Sequence, residues 1–310
     1  MVMLKQMIIL FILMGVGIIC RKTKIMNDAV SKGMSAIVVN IASPAFILSA
    51  GINQEETIAP NMLVANIAVT VVIYAWLIFL AILLPKLLKV EEEHVGTYRI
   101  MTIFSNIGFM GFPIVLASYG ETGLMYAAMF QFPYNLLIYT YGVSVMQKSS
   151  GAGKENVKFQ WSKIFNVGVI AVFLSVLLFI LKIRVPSSIE SVVDTIAGLT
   201  VPLSMMVIGY SLSGMKLGKL FSDKRLMVFS LIKLIIIPLI SILVLHFFIT
   251  DPILLGVCFI MVATPVGSMT AMFAEAYDGD KETASMGVAL TTLLSVITIP
   301  LCNLYVQSLL

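Results

Sequence analysis

Four groups of polar or helix-breaking residues interrupt long apolar runs, and their types suit the binding of a small anion. Asn106, Gly108, Gly111 and Pro113 lie in "SNIGFMGFPIVLASYG", and Thr264, Pro265, Gly267 and Ser268, followed by Thr270, lie in "ATPVGSMT". The carboxamides Gln131 and Asn135 stand one helical turn apart in "QFPYNLLIYTY". Asn40 and Ser43 precede Pro44. A proline removes a backbone donor and clashes with the preceding turn, and it pushes the residue before it out of the helical region. A helix that restarts after such a break presents free N–H groups and partial positive charge, which favours an anion. Pro113 suits the first turn of a restarting helix, where its missing N–H costs nothing. Asn106 could donate to a carboxylate or cap carbonyls freed in its own segment. Gln131 and Asn135 could do the same or hydrogen-bond between helices. The hydroxyls of Thr264 and Ser268 could serve a ligand, an ion or the local backbone.

Three charged residues add to this set. Lys233 is the one basic residue well inside an apolar run. It could neutralise an anionic substrate, pair with an acid, or reach the surface along its own stem. Asp194 and Glu275 lie near the ends of apolar runs and are candidate proton sites or solvated interfacial charges.

The elements that must position these residues are membrane helices. The chain is 59% hydrophobic and 12% charged with a mean hydropathy of +1.03, against about 25% charged residues in a soluble domain. Apolar runs bounded by charges or turn signals predict ten spans, at about 3–20, 29–52, 59–84, 99–119, 122–147, 162–182, 189–213, 225–249, 253–277 and 283–306. The basic cluster Arg21, Lys22 and Lys24 follows the first run, so residues 3–20 read as a retained span and not a cleaved signal. Cys20, Cys258 and Cys302 are far apart in apolar surroundings and predict neither a disulfide nor a metal site.

Sixteen of the twenty Lys and Arg residues fall in alternate connections. They run from Arg21 to Lys32, from Lys86 to Arg99, from Lys148 to Lys163, from Lys216 to Arg225, and end with Lys281. Lys5, Lys182 and Arg184 occupy the other side. This asymmetry predicts a multi-pass protein of the cytoplasmic membrane with both termini extracytoplasmic. A Gly-, Ser- and Lys-rich cytoplasmic linker, 148–161, separates residues 1–147 from 162–310, with five spans in each part. Pro44 and Pro202 are 158 residues apart, and Gly120 and Gly279 are 159 apart. Two similar five-span halves must enter the membrane in opposite senses, which is the inverted-repeat plan of many secondary transporters. At about 1.5 Å per residue, Gly108 to Pro113 lies roughly 14–21 Å along span 4. That is the middle of a hydrocarbon core about 30 Å thick. Pro265 and Gly267 reach a similar depth from the other side, so spans 4 and 9 are expected to break at the midplane. Irregular backbone is tolerated at that depth only inside protein or beside an aqueous cavity.

The stretch "NIGFMGFP", with Asn106, Gly108, Phe109, Gly111 and Pro113, resembles the span-4 signature of bacterial members of the auxin efflux carrier family. That family includes plant auxin exporters and bacterial permeases for malate and malonate. The resemblance extends over nearly the whole chain. It implies an all-α fold of ten helices as a 5+5 inverted repeat with crossing, broken spans 4 and 9, as in bile-acid:sodium symporters and sodium/proton antiporters. It further implies an elevator-like movement of a transport domain, spans 3–5 and 8–10, against a scaffold of spans 1, 2, 6 and 7. The plant exporters' Asn-Pro-Asn is absent at the first crossover, and the linker is short, so auxin is not the expected substrate.

The expected function is therefore secondary transport of a small organic anion, a mono- or dicarboxylate, with substrate at the crossing of spans 4 and 9. An ion channel or membrane receptor is the alternative, but no selectivity-filter repeat or ring of charge is present. No His-Glu-x-x-His, Gly-x-Ser-x-Gly or nucleotide-binding loop occurs, which excludes the familiar enzyme and ATP-driven classes. No cofactor or nucleic-acid partner is expected. Coupling to H+ or Na+ is open, and a homodimer through the scaffold spans is a further expectation.

Overall fold

The computed structural model describes residues 2–53, 58–149, 164–214, 220–277 and 279–309. The expected linker 148–161 lies outside the described residues beyond Ser149, as do Lys163, Lys216 and Lys219. The described residues form helices, with one isolated backbone bridge between Ser105 and Val266. In chain order these are α1 (Val2–Lys22), α2 (Asp28–Ile37), α3 (Ser43–Ile52), α4 (Pro60–Leu87), α5 (Glu92–Ile103), α6 (Phe112–Met129), α7 (Gln131–Leu137) and α8 (Val143–Ser149). There follow α9 (Val167–Ile180), α10 (Ser187–Ala197), α11 (Thr200–Ser213), α12 (Lys224–Leu231), α13 (Ile237–Leu245), α14 (Pro252–Ala263), α15 (Met269–Ala276) and α16 (Lys281–Gln307).

Among the described residues, six helical stretches are long and apolar enough to cross a membrane: Met3–Lys22, Asp28–Ile52, Asn61–Leu87, Ser187–Ser213, Lys224–Leu245 and Lys281–Gln307. Val167–Ile180 and Pro252–Ala263 are shorter apolar helices. Large apolar side chains lie open on the outside, with Phe247 and Phe248 78% and 80% exposed. Such a surface belongs to a multi-pass α-helical membrane protein, whose outer face meets lipid. The runs expected at 99–119, 122–147 and 253–277 are each divided into shorter helical pieces.

Local sequence explains many of the boundaries. Asn27, Asn166, Asp223, Asp251 and Asp280 each precede a helix and accept from a first-turn N–H with the side chain. Wider π-helical turns, Val38–Ala42, Ile107–Gly111 and Ile232–Ile236, stand just before Pro44, Pro113 and Pro238. Widening the turn relieves the clash between a proline ring and the carbonyls behind it. Gly120, at φ 63°, splits α6 into two helical pieces in a conformation suited to glycine.

The chain divides into two compact units. Unit 1 comprises Met1–Asn66, Ile107–Phe132 and Phe165–Met215. In it α1 packs along α11, and α3 against α9 and α10. The contacts are close: a Cβ on Gly17 would overlap the Met206 backbone, one on Gly209 the Met14 backbone, and one on Gly51 the Ser175 backbone. Ser175 Oγ also donates to Ile47 O at 2.8 Å. Unit 2 comprises Ile67–Asn106, Pro133–Ile164 and Lys216–Leu310. Its α16 packs against α5, α12, α13, α14 and α15. Trp76 Nε1 donates to Ser241 Oγ at 3.2 Å, tying α4 to α13.

Candidate functional site

Two helices of unit 2 stop in mid-run, and the exposed backbones pair with each other. Helix α5 ends at Ile103, after which Phe104 turns to φ −99° and ψ 92°. Helix α14 ends at Ala263, after which Thr264 extends at φ −60° and ψ 148°. Ser105 and Val266 then form an antiparallel bridge. Asn106 N donates to Pro265 O at 2.7 Å, and Gly267 N donates to Phe104 O at 2.9 Å. Each break thus answers a donor and an acceptor of the other, as buried backbone requires. Val266 N donates to Thr291 Oγ1 of α16 at 3.0 Å, and that hydroxyl donates to Gly287 O at 2.7 Å. Thr264 Oγ1 donates to Met261 O at 3.1 Å. Gly267 cannot bear a side chain without crowding. A Cβ there would lie 3.1 Å from Ser105 O and 3.2 Å from both Phe104 O and the Tyr134 hydroxyl. The Tyr134 ring meets that of Phe104 edge-on at 5.3 Å.

Lys233 lies in the π-helical turn between α12 and α13 and is fully buried. Its Nζ donates to Ser105 Oγ at 2.8 Å and, more weakly, to Val262 O at 3.4 Å. The sequence left open whether this side chain snorkels to the surface, and burial rules that out. Both contacts belong to the ends of α5 and α14, where unpaired carbonyls concentrate partial negative charge. No acid among the described residues forms an ion pair with it.

The other sequence-derived candidates divide between the units. Asn106, Asn135, Lys233, Thr264, Pro265, Gly267, Ser268 and Glu275 belong to unit 2, and Ser43, Gly108, Gly111, Pro113, Gln131 and Asp194 to unit 1. The first break lies at Phe104 to Asn106, ahead of the expected Gly108–Pro113. Gly108 and Gly111 form part of a π-helical turn, and Pro113 falls in the first turn of α6. Pairing with Val266, distant in the chain, fixes the break where it is. Asn106 and Asn135 are buried, Ser268 is half-buried, and Glu275 is exposed. Asp194 is exposed and accepts from Asn53 Nδ2 at 2.9 Å. Gln131 lies against the start of α9, beside Gly168. Sequence reasoning missed Ser105, Phe104, Val262 and Thr291. Ser105 is adjacent to Asn106 and could have been marked by that position. Nothing local marks the other three.

A family described as membrane transport protein matches residues 2–303. The chain belongs to that family, the auxin efflux carriers. It is 24% identical to an uncharacterized transporter of Methanocaldococcus jannaschii over 97% of this chain and 98% of the relative. An uncharacterized transporter of Methanothermobacter thermautotrophicus is 20% identical over 94% of each chain. A Rhizobium meliloti protein named "Putative malonate transporter" is 22% identical over 86% of this chain and 84% of its own. This family member is thus a membrane transporter.

A second polar cluster of unit 2 gathers where α5, α12 and α16 begin. His94 Nδ1 meets Asp280 Oδ2 at 2.5 Å, and its Nε2 lies 3.3 Å from Glu93. Asp280, the partner of His94 Nδ1, is 186 residues away in the chain. Arg225 pairs with Glu91 at 3.5 Å beside a cavity of about 370 Å³. Glu91, Glu93 and His94 bring ligand-type atoms within 4.8 Å of one another, but both glutamates are exposed and already face cationic or imidazole partners. The cluster joins helix starts and does not extend to the paired breaks.

Proposed function

We propose that this protein is a secondary transporter of a small organic anion, a mono- or dicarboxylate, bound at the paired breaks of the expected spans 4 and 9. The observation that carries this reading is the pairing of Ser105 with Val266, which exposes helix ends of both signs at one place. Helix α15 restarts after Ser268, and its N–H groups are suited to a carboxylate. Lys233 supplies positive charge at the opposite helix ends. Gly108, Gly111, Pro113, Ser43, Gln131 and Asn135 are further candidate substrate contacts, proposed from residue type and position in the sequence. The malonate named for one relative favours a dicarboxylate. Movement is of the elevator type, with spans 3–5 and 8–10 shifting against spans 1, 2, 6 and 7. Ten spans in two inverted halves and a homodimer through the scaffold spans complete the reading.

The test is uptake by purified protein in liposomes, with labelled malate, malonate and an aromatic carboxylate under imposed proton, sodium and voltage gradients. Saturable uptake of one carboxylate is expected, and saturable uptake of none would sink the reading. Asn106→Ala is expected to abolish uptake while keeping the elution profile and melting temperature of the parent. Full activity in that variant removes the side chain from the site.

A further inference from the structure

We propose that the Lys233 ammonium is a resident cation of the paired breaks, tethered where a dissociable small cation such as Na+ would otherwise be held. The proposal rests on the transport reading for its functional consequence, but its physical basis is separate. Two interrupted helices, α5 and α14, end next to each other, and each end carries carbonyls without intrahelical partners. Unwound carbonyls and helix C-termini of this kind coordinate Na+ or H+ in transporters with broken helices. A hard cation wants oxygen ligands. Ser105 Oγ and Val262 O supply two, and both are occupied by Lys233 Nζ. Ser105, Val262 and Lys233 come from three different elements, so the ammonium also links them.

The side chain has no other assigned task. It is fully buried, so it offers no surface charge. No described acid forms an ion pair with it, so it is not one half of a buried salt bridge. Its two acceptors are neutral and belong to the breaks themselves. An ammonium buried among neutral oxygens is costly unless something there calls for positive charge. The converging helix ends provide that demand. A covalently held cation cannot be exchanged, so the paired breaks of this chain keep their charge without drawing on the sodium gradient.

The experiment compares the parent with Lys233→Ala and Lys233→Ser, the latter offering a third oxygen. Melting in detergent is followed in choline, sodium and ethylammonium chloride at equal ionic strength. Uptake of the transported carboxylate is then measured in the same salts. Replacing choline by sodium is expected to leave the parent's melting temperature and uptake unchanged. The variants melt lower in choline and recover in sodium or ethylammonium, and their uptake falls about tenfold and is restored by the same cations. Variants indifferent to every cation overturn the proposal, as does a saturable sodium requirement in the parent. Failure to recover either variant from membranes prepared in any of the three salts also counts against it. Because melting needs no substrate, it stays readable even if the transport reading fails.

Discussion

In unit 1, Gly17 lies against the backbone of Met206, Gly209 against that of Met14, and Gly51 against that of Ser175. In unit 2 the corresponding cohesion at the broken helices comes from hydrogen bonds. Asn106 and Gly267 donate to the opposite break, Thr291 accepts from Val266, and Lys233 donates to Ser105. The difference follows from the demands on each unit. Continuous apolar helices have satisfied backbones, so in lipid their association depends on close van der Waals approach, which small residues permit. Interrupted helices expose donors and acceptors, and each one left unpaired in a low-dielectric interior is costly. Steric substitutions should therefore damage unit 1 most, and substitutions that remove a hydrogen-bond partner should damage the breaks of unit 2.

The largest expected effect tests the steric half. Gly209→Ala places a methyl within 2.7 Å of the Met14 carbonyl carbon and 2.9 Å of its Cα. Backbone cannot move aside as a flexible side chain does, so α1 must separate from α11. A loss of about 3 kcal/mol is expected, read as a lower melting temperature and poor recovery from the membrane. A variant as stable as the parent would show that the close approach of α1 and α11 contributes little.

Thr291→Val comes next and tests the polar half. The two side chains are similar in size, so the change removes the acceptor for Val266 N without opening space. An unsatisfied buried donor costs about 1–3 kcal/mol. Carboxylate uptake is expected to fall further than stability alone explains, because the second break loses its support from α16. Thr291→Ser keeps the hydroxyl and should retain most activity, which separates the hydrogen bond from packing. Equal activity in the valine and serine variants would remove Thr291 from the support of the break.

How much of this could be read in the sequence depends on how local each cause is. Pro265 and Gly267 act on their own backbone, and the second break lies where they stand. Pro113 likewise falls in the first turn of a helix, as its missing N–H suggests. The first break was placed too late because its position depends on Val266, more than half the chain away. Lys233 was visible as an oddity, but the distance along the helix could not distinguish surface from interior. Its partner Ser105 is 128 residues distant. The glycines of unit 1 carry no signal of their own, since Gly17 and Gly209 matter only through the helix that approaches each of them. The aspartate and asparagine caps are local and could have been marked, because each stands directly before an apolar helical run.

Gly108 provides the smallest expected effect and the sharpest contrast with Gly209. It is half-buried in the π-helical turn after the first break, and a Cβ there would meet nothing within 4 Å. Its backbone lies within a helical turn, so Gly108→Ala should cost no stability and gain up to about 1 kcal/mol from reduced freedom of the unfolded chain. Melting is therefore expected at or slightly above the parent temperature. Uptake provides the second reading, since the added methyl enters space assigned here to substrate. A higher KM with unchanged melting places that space in the binding path. Unchanged melting with unchanged KM assigns it to lipid or solvent and confines the substrate to the breaks themselves. A drop in melting temperature would show that this turn, unlike its local geometry, requires glycine, and the contrast with Gly209 would no longer hold.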